Sequence, residues 1–133
     1  MKLIAMILMT SFLAPLAFAQ EKKEEEPKFE LVTYYLGLLY KGPTRDQSEE
    51  ESNSIQTAHL KHLESLYHQG ILLIAGPLAE DVDLRGIVVL KASSLEEAKS
   101  FVDADPAVKA GRLRVELHPW MSQSLDVLAY RPK

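Results

Sequence analysis

Apolar positions gather along this chain in blocks separated by acidic or glycine-marked breaks. From Phe29 the stretch FELVTYYLGLLYKG is rich in β-branched, aromatic and aliphatic residues and stops at Lys41-Gly42-Pro43, a turn signal. Residues 30–40 predict a first strand. The polar, acidic TRDQSEEESNS reads as a loop leading to a helix start near Ser52 to Ser54, and Ile55 to Gln69 predicts a helix ended by Gly70 as C-cap. ILLIAGP (71–77) predicts a second strand, and a turn through Glu80-Asp81-Val82-Asp83 leads to a third, Arg85 to Lys91. Ser93 or Ser94 caps a second helix running to about Val102, with Glu96 and Glu97 in the first turn where the helix dipole favours them. Asp105-Pro106 starts a short helical turn closed by Gly111, and Arg112 to His118 predicts the fourth strand. The order β-α-β-β-α-β predicts an α+β fold, a ferredoxin-like antiparallel sheet with two helices on one face.

The strands differ in how many faces they ask to bury. A sheet with helices on one side and water on the other alternates apolar with polar residues. The fourth strand alternates, with Leu113, Val115 and Leu117 between Arg112, Arg114, Glu116 and His118. Val32 to Tyr40 is interrupted only by Thr33 and Gly37, and Ile71 to Ala75 and Ile87 to Leu90 are unbroken. Two helices cover one face, so the second needs another cover. A second copy of the sheet supplies it, and the expectation is a homodimer closing a barrel between two sheets. The tail 122–133, with Leu125, Val127, Leu128 and Tyr130, offers a more modest lid from within the chain.

The first residues bear on compartment. MKLIAMILMTSFLAPLAFAQ combines an early Lys2, an apolar run from Leu3 to Leu13 and the small-x-small pattern Ala17-Phe18-Ala19. The reading is a signal peptide over 1–19 and an exported protein, periplasmic or secreted, with no membrane attachment after cleavage. Loss of Lys2 moves the formal net charge from −4 to −5. An acidic chain without a basic cluster lacks the electrostatic footprint of a nucleic-acid binder. Residues 20–28, QEKKEEEPK, read as a charged linker, 29–121 as the domain and 122–133 as a C-terminal tail. With no cysteine, no disulfide supports the fold, and the domain is long enough to bury a core without one.

Three of the four histidines fall within AHLKHLESLYHQG, residues 58–70. With Leu60 at zero on a helical wheel, Leu66, Leu63 and Tyr67 fall at about 240°, 300° and 340°, and Ile55 at about 220°. His59 lies within this apolar stripe at about 260°, His62 on its edge at about 200°, and His68 on the solvent side at about 80°. The three therefore do not converge on one metal, and the expectation is no metal and no cofactor. His68 reads as a cation near a helix C-terminus, and His118, beside Pro119-Trp120, as structural. His59 carries the alternatives: a hydrogen-bonded core histidine, or an imidazole presented to a cleft and suited to proton transfer. A base wants an orienting carboxylate, and Asp81, Asp83, Asp103, Asp105 and Glu116 are available, with Asp103 taken forward. Arg112 and Arg114 are candidates for an anionic substrate, and Tyr34, Tyr35 or Tyr40 for the cleft floor; Tyr35 and Arg114 are taken forward as ligand-binding residues.

The stretch TAHLKHLESLYHQGILLIAGP, Thr57 to Pro77, resembles the signature of the YCII-related family, in which a histidine-leucine helix runs into Gly, a hydrophobic strand and Gly-Pro. Gly86-Ile87-Val88-Val89 resembles the family's third strand. Asp105-Pro106 to Gly111, continued to Pro119-Trp120, resembles its D-P-x-x-x-x-G block with a Pro-aromatic end. The resemblance spans residues 30 to 121. It implies the dimeric α+β barrel fold and places His59 at the family's active-site histidine. It also implies acid/base chemistry, of lyase or isomerase type, on a small hydroxylated compound. In the family an aspartate commonly precedes the helix-ending glycine, whereas here Tyr67-His68-Gln69-Gly70 holds no carboxylate. Two readings follow: an enzyme using His59 with another acid, or a non-catalytic ligand-binding or accessory envelope protein without the dyad.

Overall fold

The computed structural model describes residues 30–132, so the stretches read as signal peptide (1–19) and charged linker (20–28), with Phe29, lie outside the described residues. Strand β1 (Val32–Lys41) is followed by helix α1 (Glu49–His68), strands β2 (Leu72–Pro77) and β3 (Leu84–Leu90), helix α2 (Leu95–Asp103), the short helix α3 (Pro106–Lys109) and strand β4 (Leu113–Ser122). A 3₁₀ turn at Asp126–Leu128 follows. The sheet order is β2-β3-β1-β4, and every neighbouring pair is antiparallel. This is the α+β, ferredoxin-like arrangement that the element order implied.

Two boundaries move for identifiable reasons. α1 begins at Glu49 and not near Ser52 to Ser54, because Ser48 and Glu51 form a capping box. The Ser48 hydroxyl accepts from the Glu51 N–H, and the Glu51 carboxylate accepts from the Ser48 N–H at 2.9 Å. The stretch expected as loop therefore adds about two helical turns ahead of Ile55. β4 runs past His118 to Ser122 because it pairs with β1 along its whole length, from Lys41 opposite Leu113 to Val32 opposite Ser122.

Alternation in β1 divides the interior in two. Tyr35 and Leu39 face the helices and pack with Leu66 of α1, Ala98 of α2 and Leu72, Val88 and Leu90 of the sheet. Tyr34 faces the other way, packing with Leu73 and Val89, with Val32 and Leu36 alongside. The cover over this second cluster comes from the chain itself. The tail leaves β4 at one edge and brings Leu125 and Ala129 onto the cluster. The Leu125 N–H donates to the Tyr34 hydroxyl at 2.7 Å, and Lys91 pairs with Asp126 at 2.7 Å. Tyr130 reaches the end of α1, with its ring centroid 5.4 Å from that of Tyr67 and 4.5 Å from that of His68. The tail is thus a strap across one end of the second face, a larger part than the modest lid expected. The other end of that face keeps Leu38 half-buried, and Arg114 lies 4.2 Å above the Tyr40 ring.

Candidate active site

The site is built around α1. Its buried residues are His59 and Leu66, with Leu63 and His62 half-buried beside them. The arc turned toward the sheet is therefore centred on His59. Leu60 and Tyr67, which the wheel places in the apolar stripe, are 54% and 41% exposed. Leu60 instead lines the mouth of a cavity and Tyr67 meets the tail.

His59 is 7% exposed and its Nδ1 lies 2.7 Å from Oδ2 of Asp105, itself 5% exposed. A carboxylate only accepts, so Nδ1 carries the proton and donates it. Asp105 is fixed independently: it is the N-cap of α3, and its Oδ1 accepts from the Ala107 N–H at 2.8 Å. Pro106 at the first helical position fixes the backbone that aims it. Each oxygen thus has one partner, and the imidazole is held in one orientation. Nε2 has no protein hydrogen bond, yet no buried side-chain nitrogen or oxygen among the described residues lacks a partner. Nε2 is therefore solvent-accessible, from the cavity that His59 lines.

That cavity has a volume of about 470 Å³ and lies between α1 and the β2–β3 end of the sheet. Leu39, Ile55, Leu63 and Val88 give it an apolar wall, and Arg45, Arg85 and Arg112 reach it from three separate segments. Gly86 forms part of the wall, where a Cβ would stand 2.6 Å from the Gly76 carbonyl oxygen. A side chain there would separate β2 from β3. The size and the mixture of apolar wall with a few polar groups match small-molecule sites.

The other sequence-based assignments distribute differently. Asp103 is not the partner of His59: it is exposed on α2 and pairs with Lys99, because position 103 faces solvent one turn after that lysine. Asp81 pairs with Lys41 and Arg85, and Asp83 and Glu116 both pair with Arg114. Arg114 does not bind in the cavity, since β4 alternation turns it to the outer face over Tyr40. Tyr35 lies in the core beneath the helices, and none of Tyr34, Tyr35 and Tyr40 lines the cavity. Arg112 does line it. His62 is held separately, its Nε2 2.8 Å from the Phe101 carbonyl oxygen. Arg45 and Arg85 went unnoticed in the sequence, where Arg45 sits in a polar loop and Arg85 lies at the start of β3, with nothing to bring either to α1. Asp105 was within reach: an aspartate before a helix-starting proline is an N-cap, and its side chain is fixed wherever that helix packs.

The YCII-related domain profile matches residues 34–121. Protein YciI of Escherichia coli O6:H1 is 36% identical over 84 residues, 56% of this chain and 86% of that protein. Protein YciI of Shigella flexneri matches to the same extent. Among solved structures, 5-chloro-2-hydroxyhydroquinone dehydrochlorinase from Burkholderia phenoliruptrix, in complex with 2,5-dihydroxybenzoquinone, is 30% identical at a TM-score of 0.46. That similarity covers 64% of this chain and 92% of that one. With the profile extending over most of the described residues, the chain belongs to the YCII-related family.

Proposed function

We propose that this protein is a small-molecule enzyme that moves a proton with His59, in lyase- or isomerase-like chemistry on a small hydroxylated compound bound in the cavity. The observation that carries this reading is the His59–Asp105 pair, buried at 2.7 Å with Nε2 open to the cavity. Asp105 holds the imidazole with its proton on Nδ1, which leaves the Nε2 lone pair free to accept a proton from the ligand. As the proton arrives, the Asp105 carboxylate stabilises the imidazolium from the far side. The same group returns the proton to a neighbouring atom or to a leaving group, which is the net change an isomerase or lyase needs. A positioned base of this kind contributes about 10²- to 10⁴-fold to rate.

The alternative, a binder without the dyad, rested on the missing carboxylate before Gly70. A carboxylate from α3 now stands in hydrogen-bond reach of His59, which favours the enzyme. We also read the half-open second face as the seat of a second copy of the chain, and residues 1–19 as a leader for export to the periplasm or beyond.

The test is a screen of hydroxylated aromatic and quinoid compounds in deuterated water, following deuterium incorporation and product formation by NMR. The expected result is exchange or turnover that falls about 100-fold or more in His59→Gln. A compound that binds the wild type in the cavity but neither exchanges nor reacts, across the whole set, would leave the dyad without a catalytic role.

A further inference from the structure

We infer that the cavity ligand carries a carboxylate, received by Arg112 with Arg45 and Arg85 at the end of the cavity away from the dyad. This rests on the cavity being the functional site and adds the chemical class of its ligand. The lining includes three arginines and no aspartate or glutamate. On an acidic chain, that concentration of positive charge does not follow from composition.

Arg112 and Arg45 are held by partners that leave their charge unanswered. Arg112 is half-buried, and its Nη1 donates to Gln47 Oε1 at 2.8 Å and to Ser52 Oγ at 3.0 Å, both neutral. Arg45 donates from Nη1 to the Arg112 carbonyl oxygen at 2.9 Å. Among the described residues no carboxylate forms an ion pair with Arg112 or Arg45, whereas Arg114 on the outer face has two. Arg85 shares Asp81 with Lys41. A half-buried cation without a counter-ion is costly to keep, and an anionic ligand group removes that cost. The planar fork of arginine matches a carboxylate with two parallel hydrogen bonds.

Geometry also bounds the ligand. Ser52, which holds Arg112, and His59 are seven residues apart on α1, about 10 Å along the helix axis. A single ring with an acid group fits between the arginine end and Nε2, its apolar body against Leu39, Ile55 and Leu63. The carboxylate then fixes which ring position meets His59.

The experiment titrates matched acid and amide pairs into the whole protein: benzoate with benzamide, and 3-phenylpropionate with its amide. Calorimetry reads affinity and NMR reads the His59 ring signals. The acids are expected to bind at least tenfold more tightly than the amides and to shift His59. Arg112→Gln should erase that preference and Arg112→Lys should restore part of it. Arg45→Gln, at an exposed position, should weaken the acids alone and does not depend on Arg112 for folding. His59→Gln should keep the preference. If amides bind as well as acids while shifting His59, the carboxylate inference falls and the cavity remains the site. If no acid binds, or the preference survives Arg112→Gln, the inference is overturned. Acid preference with no shift at His59 would place the anion elsewhere and overturn it too.

Discussion

Replacing Asp105 by asparagine separates the work of its two oxygens. The amide oxygen still accepts from the Ala107 N–H, so the cap survives. The amide nitrogen, however, donates toward His59 Nδ1, which must become an acceptor and pass its proton to Nε2. Asp105→Asn is therefore expected to stay within about 1 kcal/mol of wild type in denaturant titration while losing proton transfer. Nitrogen NMR of His59 should report the switched tautomer, and an unchanged tautomer would refute the orientation argument. His59→Leu behaves differently. It leaves Oδ2 of a buried carboxylate unpaired and should cost about 1–3 kcal/mol whether or not the histidine is catalytic. A stability loss there is thus no sign of a merely structural histidine.

Among the elements, α1 depends most on its first turn. The Ser48 N–H, donating to the Glu51 carboxylate, holds that carboxyl below its usual range, and the box starts the helix six residues before Ile55. Ser48→Ala should lower unfolding free energy by about 1 kcal/mol, read in urea, and fray the turns that carry Ser52. The strap has its own pH dependence. The Lys91 ammonium holds the Asp126 carboxyl below its ordinary value, and Asp126 in turn raises Lys91. A depressed carboxylate stabilises above its unfolded pKa, about 3.9, and loses that contribution as pH falls through the lower folded value. Protection of the Ala129 amide, taken relative to its intrinsic exchange rate, should therefore fall in that acid window and in high salt, and Lys91→Gln should remove both effects. Protection that ignores acid and salt would show that the ion pair does not hold the strap. Strand and helix order were legible because apolar periodicity and Gly-Pro punctuation are local. The start of α1 was missed because three consecutive glutamates look like loop until Ser48 is paired with Glu51. Asp105 was one of five equal carboxylates, since only the packing of α3 on α1 distinguishes them.

At the scale of the molecule, the strap changes what a second copy can cover. The two-faced strands predicted a full sheet against a partner, but Tyr34, Leu73 and Val89 are already covered by residues 125–129. The strap leaves the half around Leu38 and Tyr40 uncovered, so the proposed second copy would meet an area smaller than the whole face. Sedimentation of residues 20–133 should show the proposed dimer, which Leu38→Asp converts to monomer, while the His59–Asp105 pair on the opposite face stays intact. A wild-type monomer at all concentrations would instead make the strap the final cover. The same strap sets an order of events during synthesis. Tyr34 leaves the ribosome about ninety residues before Leu125, which lies 91 positions later in the chain. Until Leu125 emerges, the Tyr34 face of the forming sheet has no strap over it, the condition in which nascent chains aggregate or recruit chaperones. A stop codon between β4 and Leu125 would therefore spare every atom of the dyad and the cavity, and show itself as lost yield.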